Sequence, residues 1–465
     1  FWATQEGSLL FWLLVLTGVS SAALALNRRL VEEVLPWTTP VLAAIAVFFA
    51  FMLVAVSSPF DTQLAPADGR GMTPSLQNPY MAAHPPLLYL GYVGLSIPFA
   101  FAMAALLSRR VDERWIVATR QWTLGAWAFL GLGILVGSKW AYEEVGWGGW
   151  YAWDPVENAA LMPWLAATAY LHSVMIQEKK DMLRVWNMIL VALSFALALF
   201  GTFLVRSGVL NSIHSFAQSP IGAWFLGALA VAVAASTVLI VTRLPILRSR
   251  TKMESFVSRE AAFLYNNLFL VALCLTVLWG VVYPLVSEAV RGVASTVGAP
   301  YYNFFAIAFG VPLVFLMAIG PLVAWRRGSL RSIGTSLAWP AGIASVCAIV
   351  LLAFGAGSNP LGVVGYSFAA FVLASITLEF VRGTRARKAL GKDQFRLLVD
   401  GMKDAEVKTL VARLDKHHPE QKAADAAWRR QHFLLLVKGD VEPTEKPEKP
   451  AKKTKATRKP KPDDK

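Results

Sequence analysis

Charge is scarce in this sequence, and so is cysteine. Only 16% of the 465 residues are charged, and these gather toward the C-terminal end, so most of the chain cannot present the hydrated surface of a soluble domain. The two cysteines, Cys274 and Cys347, both fall inside apolar runs, which excludes a CxxC motif, a disulfide framework and a thiolate metal site of the usual spacing. Acidic residues are outnumbered, leaving a net charge of +14. The cations are spread over short loops and a tail, where membrane topology and anionic lipid account for them, so no nucleic-acid partner is expected.

What the chain does have is apolar length. Hydrophobic residues make up 56% of it, and runs of about 20, enough for a helix to cross a hydrocarbon core of about 30 Å, recur along it. Eleven are expected, at about 9–26, 38–56, 86–107, 122–138, 159–177, 186–205, 222–243, 262–286, 303–325, 334–353 and 361–381. A span must be helical because its backbone polar groups find no water there. The fold class is therefore all-α: a polytopic transmembrane helix bundle followed by a charged tail. The expected division is a membrane core over 1–387 and a cytoplasmic tail over 388–465. Within the tail, an amphipathic helix is expected near 393–416, and the Lys-, Pro- and Glu-rich end from about 441 cannot bury a core and is expected to be disordered.

Loop charge sets the orientation. Arg28, Arg29, Arg109, Arg110, Lys179, Lys180, Arg248, Arg326 and Arg327 all fall in alternate loops on one side, whereas the other side has only Arg70, Lys139, Arg206 and Arg291. By the positive-inside rule the first set is cytoplasmic, so the N-terminus lies outside and the C-terminus inside. His84 and His214 then sit at the outer face, each near a span end. His172 lies within a span, about 13 residues or roughly 20 Å from its outer end.

Between the two outer histidines, the loop over 137–158 concentrates Trp140, Trp147, Trp150 and Trp153 in fourteen residues, with Tyr151 and three glycines among them. Flat aromatic faces and a backbone that can be approached closely suit a planar macrocycle such as a porphyrin; an interfacial tryptophan belt is the plain alternative. Imidazole is a common axial ligand of heme iron, so His84 and His214 flanking this platform are candidate iron ligands. Lys139 and Arg206 are the outer-face cations placed to meet heme propionates. Asp154 closes the loop beside Glu157, and no acid–base dyad is evident. His172, ionisable within a span, is a candidate ligand of a second, intramembrane heme, or else a hydrogen-bonding residue toward a neighbouring helix.

Three segments in order, Gln77-Asn78-Pro79-Tyr80-Met81-Ala82-Ala83-His84-Pro85-Pro86, the loop ending in Trp153-Asp154-Pro155-Val156-Glu157-Asn158, and Gly201-Thr202-Phe203-Leu204-Val205-Arg206 through His214-Ser215-Phe216-Ala217, closely resemble the CcmF and NrfE heme lyase family over roughly residues 1–385. The resemblance implies that the tryptophan-rich loop, the family's WWD domain, and the histidines matching His84 and His214 hold heme delivered by the chaperone CcmE. That heme is attached to apocytochrome c with a CcmH-type subunit. It further implies that His172 binds a b-type heme that takes electrons from quinol, in a multi-pass protein of the inner (plasma) membrane. The chain departs from the family twice. The usual Trp-Trp pair is Trp150-Tyr151 here, and the later extracytoplasmic domain with the second b-heme histidine has no counterpart, since His417, His418 and His432 lie in the charged tail. That ligand is expected from a separate subunit or from beyond a truncated end; the chain opens at Phe1 and reads as a fragment.

The expected activity is that of a cytochrome c heme lyase (synthetase) component. A WWD-class heme exporter is the alternative, and a respiratory cytochrome b would require more intramembrane histidine pairs. Topology gives a direct test. Cysteines placed at Ser138 and Ser212 should react with an impermeant thiol reagent from outside the membrane and one at Ser329 should not; equal labelling at all three refutes the orientation.

Overall fold

The computed structural model describes residues 4–28, 31–62, 64, 67–69, 71–209, 221–249, 256, 258–322 and 330–399. Among them the regular structure is helical throughout: α1 Gln5–Leu26, α2 Leu35–Phe51, α3 Pro79–Gly94, α4 Ser96–Ser108, α5 Arg114–Glu144, α6 Pro155–Lys180, α7 Arg184–Ser207, α8 Ile221–Leu247, α9 Arg259–Arg291, α10 Ala299–Ile319, α11 Leu330–Ala353 and α12 Pro360–Val399. Eleven helical stretches are long and apolar enough to cross a membrane, as the apolar runs predict. One of the eleven, Pro79–Ser108, is α3 and α4 in series. They part at Leu95 because Pro98 removes an N–H from the ladder and crowds the carbonyl one turn back, at Gly94.

This bent span is the centre of the bundle. Its most apolar window is 89% buried, against 11% for α10 and 6% for the span in α11, so those two present their apolar side chains outward, where lipid is the solvent. Compact units of Phe1–Ile376 and Thr377–Lys465 divide the chain; α12 remains helical to Val399, and residues 400–465, including the three tail histidines, lie outside the described residues.

Small residues set the tightest contact. A methyl group on Gly91 would stand 2.5 Å from Leu130 Cβ and 2.7 Å from Leu130 Cα, and one on Gly94 would stand 2.7 Å from Ala126 Cβ. α3 and α5 therefore touch backbone to backbone, which is how membrane helices gain packing where hydrophobic burial offers no net drive. Elsewhere polar side chains join the helices: Asn187 of α7 donates to Gln177 Oε1 of α6 at 2.6 Å, and Trp127 of α5 donates to Thr168 Oγ1 of α6 at 2.8 Å. At the C-terminal end of α6, Lys180 meets the buried carboxylate of Glu260 of α9 at 3.2 Å, which lets an acid sit at 2% exposure.

Ser138 is buried within α5, so Glu144, exposed at the same end, is the better cysteine position for the labelling test. The packing makes its own prediction. Gly91→Ala, which must push α3 off the α5 backbone, should cost about 1–3 kcal/mol of stability, read as a lowered midpoint of thermal unfolding in detergent. Gly18→Ala, where nothing lies within 4 Å, should leave the midpoint unchanged; equal midpoints in both variants would show that the contact is not tight.

Candidate functional site

The loop from α5 to α6 is built around a helix start. Asp154 is the N-cap of α6, its Oδ2 accepting from Val156 N at 2.9 Å, and Pro155 fills the first helical position, where no N–H is needed. Glu157 reaches back to Ala152 N at 3.2 Å, and Asn158 Nδ2 donates to the Trp153 carbonyl at 3.0 Å. These bonds hold Trp153 at φ +60°, a left-handed conformation that costs a non-glycine residue about 1–2 kcal/mol.

That turn aims the Trp153 indole at α10. The ring stacks on Tyr302 at 5.0 Å between centroids and 9° between planes, and Nε1 donates to Asn303 Oδ1 at 2.8 Å. Tyr302 in turn lies over Gly280 of α9, where a methyl group would stand 2.5 Å from its hydroxyl. Tyr151 meets Trp153 edge to face at 5.0 Å, and its hydroxyl donates to Asn158 Oδ1 at 3.1 Å. Burial pushes the Tyr151 phenol well above its ordinary value of 10, so it stays a protonated donor throughout the physiological range.

The remaining rings of the loop divide differently. Trp140 is 2% exposed, packs with Met81, Ala141 and Trp147, and donates Nε1 to the Ser75 carbonyl at 2.8 Å, tying the segment before α3 to the end of α5. Trp150 is exposed and stacks on Tyr142 at 5.5 Å and 23°. Lys139 Nζ stands 5.4 Å from both of those ring centroids and 5.8 Å from Tyr80, and it pairs with Glu143 at 2.8 Å. Asn78, the N-cap of α3, donates to Glu143 and Glu144 and so fixes the start of α3 to the end of α5.

Among the histidines, His84 lies against α5, its Nδ1 2.7 Å from the Gly133 carbonyl and its ring over Gly137. His214 lies outside the described residues. Arg206, expected at the surface beside Lys139, is instead 8% exposed between helices, with Nη2 donating to Ser8 Oγ at 2.6 Å and Nη1 toward the Gln5 carbonyl at 3.5 Å. A guanidinium so placed is spent on α1, because a buried charge must have its donors satisfied by protein. His172 lies 17 residues beyond the start of α6 at Pro155, about 26 Å along the axis, the helix beginning one turn ahead of its apolar run. Its Nδ1 meets the side-chain amide of Asn266 on α9, and the Phe263 ring lies 5.5 Å away. No group of three or more metal-ligating side chains forms among the described residues.

Tyr302, Asn303 and Asn266 escaped the sequence analysis. Asn266 and Asn303 lie in apolar runs, where a polar residue was the signal available, and Tyr302 lies just ahead of one. Gly133 and Gly137 carried a signal too, the four-residue spacing of small residues at a helix contact.

A family model described as cytochrome C assembly protein matches residues 2–210. The CycK cytochrome c-type biogenesis protein of Rhizobium meliloti is 42% identical over 393 residues, 84% of this chain and 57% of the relative. CcmF of Escherichia coli is 40% identical over 396 residues, covering 83% and 60%, and NrfE of Haemophilus influenzae is 36% identical over 333 residues, covering 70% and 52%. A solved structure titled cytochrome c heme lyase CcmF is similar at a TM-score of 0.62 and 32% identity, over 94% of this chain and 62% of that one. The chain thus spans little more than half the length of these relatives.

The α10 contact yields a prediction. Asn303→Leu removes the acceptor of the Trp153 indole, worth about 1 kcal/mol, and should speed limited proteolysis within 146–153. An unchanged cleavage rate would show that α10 does not hold the loop.

Proposed function

Because this chain belongs to the CcmF/NrfE family of cytochrome c-type biogenesis proteins, we propose that it works in cytochrome c maturation as a subunit of the heme lyase. Heme is the cargo, held at the outer face with His84 and His214 as its axial ligands. The observation that carries this reading is the outer end of α5. There an imidazole is fixed by a backbone carbonyl one and a half turns from Lys139, and Lys139 stands beside an exposed Tyr142–Trp150 stack.

The donor set suits a porphyrin. Neutral imidazole ligates iron, the exposed stack offers a flat apolar face, and a heme propionate can replace Glu143 at Lys139. Trp140 and Trp153 serve the same site at one remove, since their faces are packed against protein and they fix the two ends of the loop. With heme oriented in this way, each cysteine S–H of a CxxCH segment of apocytochrome c adds across a heme vinyl group, forming one C–S bond and one C–H bond. Delivery by a CcmE-type chaperone and presentation by a CcmH-type subunit complete the reading, with the site facing outward from the inner (plasma) membrane.

His172 would help to hold a b-type heme, whose chemistry when bound would be one-electron transfer from quinol toward the delivered heme. The fit rests on an imidazole at membrane depth beside the Phe263 ring, with Asn266 orienting it through Nδ1 and so leaving Nε2 as the ligating nitrogen. In the ligating state the Asn266 amide presents its oxygen to an Nδ1–H. The second ligand comes from outside the described residues.

His84→Ala and His214→Ala, made in cells carrying the complete maturation system, should each abolish holocytochrome c formation while the protein stays in the membrane at normal abundance. Heme-stained gels measure the first quantity and immunoblots of membranes the second. Normal holocytochrome yield from both variants sinks the assignment.

A further inference from the structure

We infer that Gly133 and Gly137 form a backbone seat that fixes the tautomer of His84, with the Gly133 carbonyl taking the Nδ1 proton so that Nε2 is the nitrogen offered to iron. This inference rests on the proposal that His84 ligates heme, and it adds positioning residues that act through it.

The direction of the hydrogen bond is not ambiguous. A carbonyl oxygen only accepts, so at 2.7 Å from Gly133 O the Nδ1 of a neutral ring must carry the hydrogen, which puts the imidazole lone pair on Nε2. The Gly133 carbonyl already belongs to the α5 ladder, and its second lone pair can be reached from the side only if the helix surface there is bare. A helical side chain covers the turn N-terminal to its own Cα, so residue 137 is the one whose side chain would cover carbonyl 133. It is glycine. A methyl group there would stand 2.4 Å from His84 Cε1, 2.5 Å from Nδ1 and 3.1 Å from Nε2, inside the space the ring now occupies. At position 133 a methyl group would instead meet Leu88, including its backbone nitrogen at 3.0 Å, so glycine there keeps α3 at the distance from which His84 can reach.

The two glycines can be separated experimentally. Gly133→Ala meets the α3 backbone, whereas the three atoms nearest a methyl group at Gly137 all belong to the His84 ring, which can swing aside. Gly125 lies on the same helix with nothing within 4 Å and serves as the control. A hydrogen bond on the distal nitrogen of a metal-bound imidazole raises its basicity, and losing such a partner costs about 10- to 100-fold in metal affinity or activity.

The first measurement needs no heme. With the full chain labelled at its histidines with 15N, and the His84 signals assigned by their loss in His84→Gln, the heme-free protein should show a protonated Nδ1 and an unprotonated Nε2. A protonated Nε2 with a bare Nδ1 overturns the inference. Because this is read on the unsubstituted protein, it decides the matter even if a variant fails to insert. The second measurement compares variants in the complete maturation system. Gly137→Ala should lower holocytochrome yield by about 10-fold or more and change the His84 15N signals, while Gly125→Ala changes neither. If His84→Ala matures cytochrome normally, the heme-site proposal itself fails. If His84→Ala is inactive while Gly137→Ala is fully active, that proposal stands and the seat is refuted.

Discussion

The close approach of α3 to α5 is the constraint on which the arrangement around His84 depends. Two apolar helices in lipid gain nothing from hiding their side chains from water, so they pack firmly only where small residues let their backbones meet. Gly91 and Gly94 do this from α3, and Leu130 and Ala126 receive them on α5. Each position further toward the C-terminal end of α5 follows from that contact. Leu88 fits over Gly133, His84 fits over Gly137, and the Asn78 cap reaches Glu143 and Glu144. Side chains such as Lys139 and Tyr80 meet at the end because the helices beneath them are already in register.

The same economy governs the tryptophan-rich loop. Its rings look interchangeable in sequence but fall into three environments. Trp140 and Trp147 close the core beneath the loop; Tyr151 and Trp153 lock it to α6 and α10; Trp150 stands outside with Tyr142 and Lys139. Substituting Tyr for Trp at position 151 is understandable in these terms, since the hydroxyl bonds Asn158 inside the turn, a task that the longer indole N–H would meet at a different reach. An aromatic loop of this kind is a small folded structure that exposes one face, and the strained Trp153 backbone is the cost of aiming it.

The spans were legible because length and apolarity are one-dimensional properties. So was the placement of His84 next to a special loop, because a histidine before Pro85-Pro86 at a span end is conspicuous in a chain with so few histidines. What could not be read were choices made by tertiary contact. Nothing near Trp140 in sequence says that its indole finds the Ser75 carbonyl, and nothing near Arg206 says that Ser8 lies across the bundle. Counting Arg206 as a surface cation followed from its position at a span end, whereas burial depends on which helix happens to lie opposite. The start of α6 escaped notice for a different reason: its polar first turn, from Pro155 to Asn158, is helical through its cap although no hydropathy marks it.

The outer loop and His172 share more than the α6 helix that joins them. α6 carries the Asp154 cap at one end and His172 far along its length, and α9 carries Gly280 beneath Tyr302 and Asn266 against His172. The spacing of 14 residues between Asn266 and Gly280 is about 21 Å of helix, so the two antiparallel helices meet the site at both of its levels. Between those levels Cys274 Sγ, fully buried, lies 3.5 Å from the Met162 carbonyl, so the two helices are also in contact midway. The arrangement that fixes Trp153 at the surface therefore also fixes the imidazole in the membrane. One pair of helices thus carries both groups, with Trp153, Tyr302 and Gly280 packed at one end and His172 and Asn266 toward the other.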